Sequence, residues 1–314
     1  MRDSLERTID TLRLSVTDRC NLRCIYCMPE QGIPLVGHSD VLSVEETVEL
    51  AGILIDEAGL RRVRITGGEP LVRKGLLEII RGIAMLDLEE LTLTTNGVLL
   101  AAQAAHLAEA GVKRVNVSLD SLRDDRLALI TRRAVSLGAI EEAIDASFQA
   151  GLAPVKVNCV VLRGVNEDEI TDFLLWGRSM GVTVRFIEHM PAMLSPESFV
   201  PAGEILARIS ELGPVRTGEL DGGAASRYFL EGTDIRFGVI APISEPMCSS
   251  CRRVRLTADG KLVPCLASVD SIPLKDLLRR GSISEIRHRV RESIHSKPES
   301  HGGCSGVSMW KMGG

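Results

Sequence analysis

The sequence predicts an α/β chain, an incomplete (βα)6 barrel of the TIM type followed by a smaller C-terminal domain. One observation is a recurring unit. EAGLRRVRIT (57–66), EAGVKRVNVSL (109–119), QAGLAPVKVNCVV (149–161) and SMGVTVRFIE (179–188) each set a Gly after a helix-like stretch and before a strand-like run. A second is that TLRLSV (11–16) and ELTLTT (90–95) supply two more strands in the gaps, making six. The third is that the polar motifs all fall where strands end.

The elements follow in order. Gly in the left-handed region ends a helix at low steric cost, and the β-branched run behind it favours a strand. The helix after the first strand opens at LSVEET, with Ser43 as N-cap and Glu46 three residues on, a capping box. Val44, Val48, Ala51 and Ile55 continue it at helical spacing. Strands separated by helices imply parallel pairing through right-handed crossovers. A doubly wound sheet satisfies that pattern too, but the motifs favour a barrel. TDRCNLRC follows the first strand, GGEP (67–70) the second, TTNG (94–97) the third, SLDS (118–121) the fourth and EHMP (188–191) the sixth. In a barrel these loops meet at one mouth, where active sites sit. Beyond about residue 195 the rhythm breaks at Pro196, Pro201, Pro214 and DGGAAS (221–226). The expected division is therefore 1–194 and 195–314, with loop or tail from 296 onward.

Apolar residues make up 45% of the 314 and charged ones 25%, the balance of a chain that buries a substantial core. A net charge of −5 and only 3% aromatics argue against nucleic-acid binding. MRDSLERTID has no apolar leader core, and no run approaches the roughly 18 residues of a membrane span, so a cytoplasmic protein is expected. Clustered cysteines in a reducing compartment read as metal ligands. Three stand at 20, 24 and 27 and three at 248, 251 and 265, with Cys159 and Cys304 apart.

The first group, C-x3-C-x2-C in SVTDRCNLRCIYCMPE, admits zinc with a ligand from elsewhere, redox thiols, or a [4Fe–4S] cluster. Three thiolates on a cube leave one iron open, which suits a reactive site. The second group, C-x2-C-x13-C, again stops at three unless Cys304 completes a zinc ribbon.

With an aromatic before its third Cys and its place after the first strand, the first group resembles the signature of the radical S-adenosylmethionine (SAM) family. That resemblance implies that Cys20, Cys24 and Cys27 hold a [4Fe–4S] cluster whose open iron takes SAM. It implies SAM contacts at Tyr26, at Gly67, Gly68 and Glu69 of TGGEP, at Ser118 and at Met190. Two three-cysteine groups together resemble, end to end, the branch of the family that cyclises GTP at the first step of molybdenum cofactor biosynthesis. LRLSVTDRCNLRCIYCMP, VRITGGEPLVR, VNVSLDSL, RFIEHMP and CSSCRRVRLTADGKLVPCL carry the match in order. It departs at 191–204, at LITRRAVSL (129–137) and at Cys304.

The resemblance further implies a second [4Fe–4S] cluster at Cys248, Cys251 and Cys265, with guanine on its open iron. GTP would be contacted by Arg13, Arg64, Thr94 or Thr95, Lys156, Arg253, Val254 and Arg255. The first cluster would reduce SAM to methionine and a 5′-deoxyadenosyl radical, which takes hydrogen from C3′ of the ribose before C8 is attacked. The terminal Gly313 and Gly314 would reach into the site. An external one-electron donor and a homodimer are also implied. The rivals are a peptide-modifying maturase of the same family, an iron–sulfur electron carrier and a zinc-binding scaffold. Cys159, in an apolar strand run, reads as a small buried residue.

Overall fold

The computed structural model describes residues 1–34, 37, 39–190, 194–218, 223–266, 268 and 270–300. Gly313, Gly314 and Cys304 lie outside the described residues. The six expected strands form: β1 (Thr11–Ser15), β2 (Arg62–Thr66), β3 (Glu90–Thr95), β4 (Arg114–Ser118), β5 (Lys156–Val161) and β6 (Thr183–Glu188). They pair in parallel in chain order, as right-handed crossover units do. The connecting helices are α1 (Val44–Ala58), α2 (Leu76–Ala84), α3 (Ala104–Ala110), α4 (Asp124–Thr131), α5 (Leu137–Gln149) and α6 (Ile170–Ser179). The capping box forms at α1: the Glu46 N–H donates to Ser43 Oγ at 3.1 Å, and the Ser43 N–H to Glu46 Oε2 at 2.8 Å. Gly59, with φ 61°, ends that helix in the left-handed region.

The later chain extends the same sheet at both sides. The helix α7 (Ala202–Ser210) leads to β7 (Val215–Thr217), β8 (Ser226–Leu230) and β9 (Arg236–Ile240), and β9 runs parallel to β6. β10 (Arg253–Leu256) runs parallel to β1, and β11 (Lys261–Val263) and β12 (Ile272–Pro273) follow antiparallel. The helices α8 (Lys275–Arg279) and α9 (Ile283–His295) close the described chain. The sheet order β12-β11-β10-β1-β2-β3-β4-β5-β6-β9-β8-β7 leaves two edges, as an incomplete barrel requires. No helix of the described residues is long and apolar enough to cross a membrane.

Side chains alternate across a strand, and here the alternation separates core from lumen. Leu12 and Leu14, Val63 and Ile65, Val115 and Val117, Val184 and Phe186, and Val254 and Leu256 are buried in one apolar core. Cys159 joins them at 2% exposure. The positions between them carry Arg13, Arg64, Asn116, Asn158, Arg185, Arg253 and Arg255, all facing a cavity.

Glu188, at the end of β6, ties the barrel to the later chain. Buried at 1% exposure, it accepts from the N–H of Ala202 at 2.7 Å, Ile243 at 2.9 Å and Ser244 at 3.0 Å, and from the Ser244 hydroxyl. Glu188→Ala is expected to destabilise the fold by about 3 kcal/mol, since one buried and several part-buried donors lose their acceptor. Thermal unfolding measures this, and Glu188→Gln, which keeps one acceptor oxygen, should lose less.

Candidate active site

The loops after the strands do converge. One cavity of about 370 Å³ is lined by Cys20, Cys24 and Cys27 and by Cys248, Cys251 and Cys265. Tyr26, Gly67, Gly68, Glu69, Thr94, Thr95, Ser118 and Met190 line it as well. So do Arg13, Arg64, Arg253 and Arg255. Lys156 faces an adjoining cavity of about 510 Å³, with Arg64 and Arg185 in the wall common to both. Val254 lies elsewhere, with its side chain in the core at 1% exposure.

The first cysteine loop is held from two sides. Its turn is closed by the N–H groups of Cys27 and Met28 donating to the Cys24 carbonyl, both at 3.0 Å. The end of α4 docks against it, because the N–H of Arg23 reaches Thr131 O and that of Ile25 reaches Ile130 O, both at 2.9 Å. On the other side, Gly68 N–H donates to Thr17 O at 2.8 Å and Glu69 N–H to Arg19 O at 2.7 Å. Tyr26 donates its hydroxyl to Asp120 Oδ2 at 2.7 Å, and the Val160 N–H reaches Asp120 Oδ1 at 2.8 Å. Burial lifts the Asp120 carboxyl to about 6 against those two bonds. Glu69 is an organiser of the loops: it accepts from Leu71 N–H at 3.0 Å, Asn96 N–H at 2.7 Å and the Thr95 hydroxyl at 2.7 Å. With Thr95 turned to Glu69, it is Thr94 that meets Asn116 Nδ2, at 3.2 Å.

Cys251 of the second group sits in electrostatic surroundings opposite to those of the first group. Burial pushes the Cys20 and Cys24 thiols up and Cys27 to about 12; Glu69 and Asp120 add to this at Cys20 and Cys24 respectively. At Cys251 burial pushes the same way, but Arg253 and Lys297 outweigh it and bring the thiol down to about 7. Among the described residues, no three His, Cys, Asp or Glu side chains gather closely enough to hold a single metal ion. A cluster has a different demand, because each corner iron takes its own thiolate. Three thiols spaced around one loop, beside a cavity and in no disulfide, fit it.

Between the two groups lies a row of cations fixed by strand register. Arg255 is opposite Arg13 across β10 and β1, and Arg13 is opposite Arg64 across β1 and β2. Neighbouring strands are about 4.8 Å apart, so three guanidinium groups stand side by side in the lumen. Burial first, then Arg255, Arg253, Arg64 and Arg185, drives the Arg13 pKa well below the usual arginine range. Burial and Arg253 likewise bring Arg255 to about 10, though Cys251 and Cys265 pull the other way. Like charges at this spacing repel. Sequence reading missed Asn116, Asn158, Arg185 and Asp120. The first three had a signal: each is a polar residue at an alternate position in an apolar strand.

The chain is similar to known proteins along nearly its whole length. Residues 14–177 match the Radical SAM superfamily and residues 182–303 match Molybdenum Cofactor Synthesis C. The GTP 3',8-cyclase of Moorella thermoacetica is 46% identical over 308 residues, 96% of this chain and 95% of that one. The GTP 3',8-cyclase of Thermodesulfovibrio yellowstonii is 45% identical over 307 residues, 95% of each chain. Among solved structures, SuiB of Streptococcus suis bound to S-adenosylmethionine superposes with a TM-score of 0.62 at 12% identity, covering 90% of this chain and 68% of that one. A radical SAM methyltransferase from Sphaerobacter thermophilus gives 0.51 at 20% identity, covering 64% and 62%. These structures share the fold. With relatives this similar over nearly its whole length, the chain belongs to the GTP 3',8-cyclase family of the radical SAM superfamily.

Proposed function

We propose that the protein is a GTP 3',8-cyclase. It converts GTP and SAM to (8S)-3',8-cyclo-7,8-dihydroguanosine 5'-triphosphate, 5'-deoxyadenosine and methionine, the first step of molybdenum cofactor biosynthesis. The observation that carries this is the Arg255–Arg13–Arg64 row, set by register between two three-cysteine groups on one cavity. Cys20, Cys24 and Cys27 would hold the cluster that binds SAM, and Cys248, Cys251 and Cys265 a second cluster beside the nucleotide. When bound, the first cluster supplies the one-electron cleavage of SAM that yields methionine and the 5′-deoxyadenosyl radical.

The chain's own residues do the remaining work. Arg13, Arg64, Arg253 and Arg255 offer planar forks to phosphate oxygens, and Lys156 and Arg185 extend the cationic surface into the adjoining cavity. An acidic protein thus concentrates positive charge where a triphosphate must lie. Tyr26, braced by Asp120, and the Gly67–Gly68 backbone face the SAM side, with Ser118 and Met190 at the ends of the fourth and sixth strand loops. Thr94 faces the lumen for the nucleotide, and Val254 would contribute only backbone. Barrel walls shield the reacting carbon from water. Gly313 and Gly314 would complete the site, and the activity calls for an external one-electron donor and is assigned to a homodimer.

The test is anaerobic turnover of reconstituted, dithionite-reduced protein with SAM and each nucleoside triphosphate in turn, read by mass spectrometry. Deoxyadenosine with a cyclised isomer of GTP alone is the expected result. SAM cleavage with unchanged nucleotides points to a peptide-modifying maturase, and no cleavage by iron-loaded protein to a carrier or scaffold. Arg253→Ala should raise the KM for GTP at least about tenfold, a charge-assisted bond being worth about 1.5–3 kcal/mol.

A further inference from the structure

The second cysteine group is fastened by residues far from it in sequence. Arg7 and Lys297 are both buried, at 6% and 3% exposure. Arg7 Nη1 donates to the Cys248 carbonyl at 2.9 Å and to Glu299 O at 3.3 Å. Its Nη2 donates to Lys297 O at 3.1 Å and Pro298 O at 2.9 Å, and its Nε to Asp3 Oδ2 at 2.5 Å. All five guanidinium N–H donors are thereby used, binding the N-terminal segment and the segment after α9 to the loop of Cys248. Lys297 carries the fastening onward. Its Nζ donates to Arg253 O at 3.0 Å and to Pro264 O. Those carbonyls lie two residues after Cys251 and one before Cys265.

We propose that Lys297 is a positioning residue for the second group, joining the chain segments of Cys251 and Cys265 and setting the positive charge against which a cluster there is reduced. This rests on the second cluster of the proposed function. Burial pushes the Lys297 ammonium below its usual range, and the charges of Cys251 and Cys265 pull it back up. A buried cation next to a cluster favours the form that has gained an electron, and in a low-dielectric site that preference is strong. The first group has the carboxyls of Glu69 and Asp120 near it, with Arg23 beside Cys20. Neither the Asp3–Arg7 hook nor Lys297 belongs to a motif of the sequence.

Full-length Lys297→Met and Lys297→Arg, reconstituted with iron and sulfide, test this by potentiometric titration followed by electron paramagnetic resonance. SAM perturbs the signal of the first cluster, so the SAM-insensitive signal reports the second. In Lys297→Met the reduced-to-oxidised ratio of that second signal should fall about tenfold at a fixed potential, with the SAM-sensitive signal unmoved. Lys297→Arg should restore the ratio. If Lys297→Met loses the second cluster entirely, its retention in Lys297→Arg supports the proposal, and its loss from both variants overturns it. Native iron content and potential in Lys297→Met also overturn it. Native protein with iron only at the first group would remove the second cluster itself, a failure that the unmodified protein reveals.

Discussion

Full-length protein carrying Cys24→Ala is expected to lose SAM cleavage and the iron of the first group, while keeping its iron at Cys248, Cys251 and Cys265. On the proposed function each of Cys20, Cys24 and Cys27 serves one corner of a cluster whose fourth corner belongs to SAM, so none is redundant. Mutating a residue that merely supports a metal ligand costs 10–100-fold in affinity or activity; losing a ligand itself should cost more than about a hundredfold. Cys24 is the central cysteine of the group, and its carbonyl closes the turn through Cys27 and Met28. That backbone bond survives substitution by alanine, so the loop should keep its path and the loss should lie in the sulfur. Cys159→Ala provides the contrast. Its sulfur is in the core, and its loss should cost about 1 kcal/mol without removing iron. Iron and sulfide per chain, with deoxyadenosine measured by mass spectrometry, decide the outcome. Native iron and native cleavage in Cys24→Ala would sink the assignment of the first group.

What could be read from the sequence was whatever is local or periodic. Four of the six strands were legible because a Gly stop followed by a β-branched run is a local signal, and all six formed inside their expected stretches. Arg13 and Arg64 stood out as cations within apolar strands. The same alternation at Arg185 in VTVRFIE carries equal information. Other features are set by contacts between distant segments, which leave no pattern. Nothing near Arg7 announces that it will hold Cys248, 241 residues away. Nothing in LITRRAVSL shows that the end of α4 will support the first cysteine loop. Nor does the break in rhythm after residue 195 show that β9 and β10 return to flank the parallel strands, because edge pairing depends on which sheet borders are left open.

The glycines of TGGEP show the same limit and lead to a second large effect. A Gly–Gly after a strand suggests main chain approaching a ligand. In the structure the nearest obstacle to a side chain is the protein itself. A Cβ on Gly68 would lie 2.3 Å from Arg19 O, 2.6 Å from Arg19 C and 3.0 Å from Asp18 O; one on Gly67 would lie 2.7 Å from Thr17 O. These are backbone atoms of the segment running into Cys20, and the Gly68 and Glu69 N–H groups hold that segment by hydrogen bonds. No rotamer change can relieve the overlap. Gly68→Ala must therefore push the two loops apart, breaking those bonds and carrying Cys20 away from Cys24 and Cys27. Overpacking of this kind costs about 1–3 kcal/mol, and two strained hydrogen bonds add about 1 kcal/mol each. The expected result is a protein several degrees less heat-stable, with the iron of the first group reduced at least about tenfold and that of the second group retained. Gly203→Ala is the matched control: no atom lies within 4 Å of the added methyl, and its position in α7 favours alanine. Thermal unfolding and iron content of the two variants distinguish loop packing from a general intolerance of alanine. If Gly68→Ala kept full iron and native stability, the glycine would have to be explained by the ligand after all.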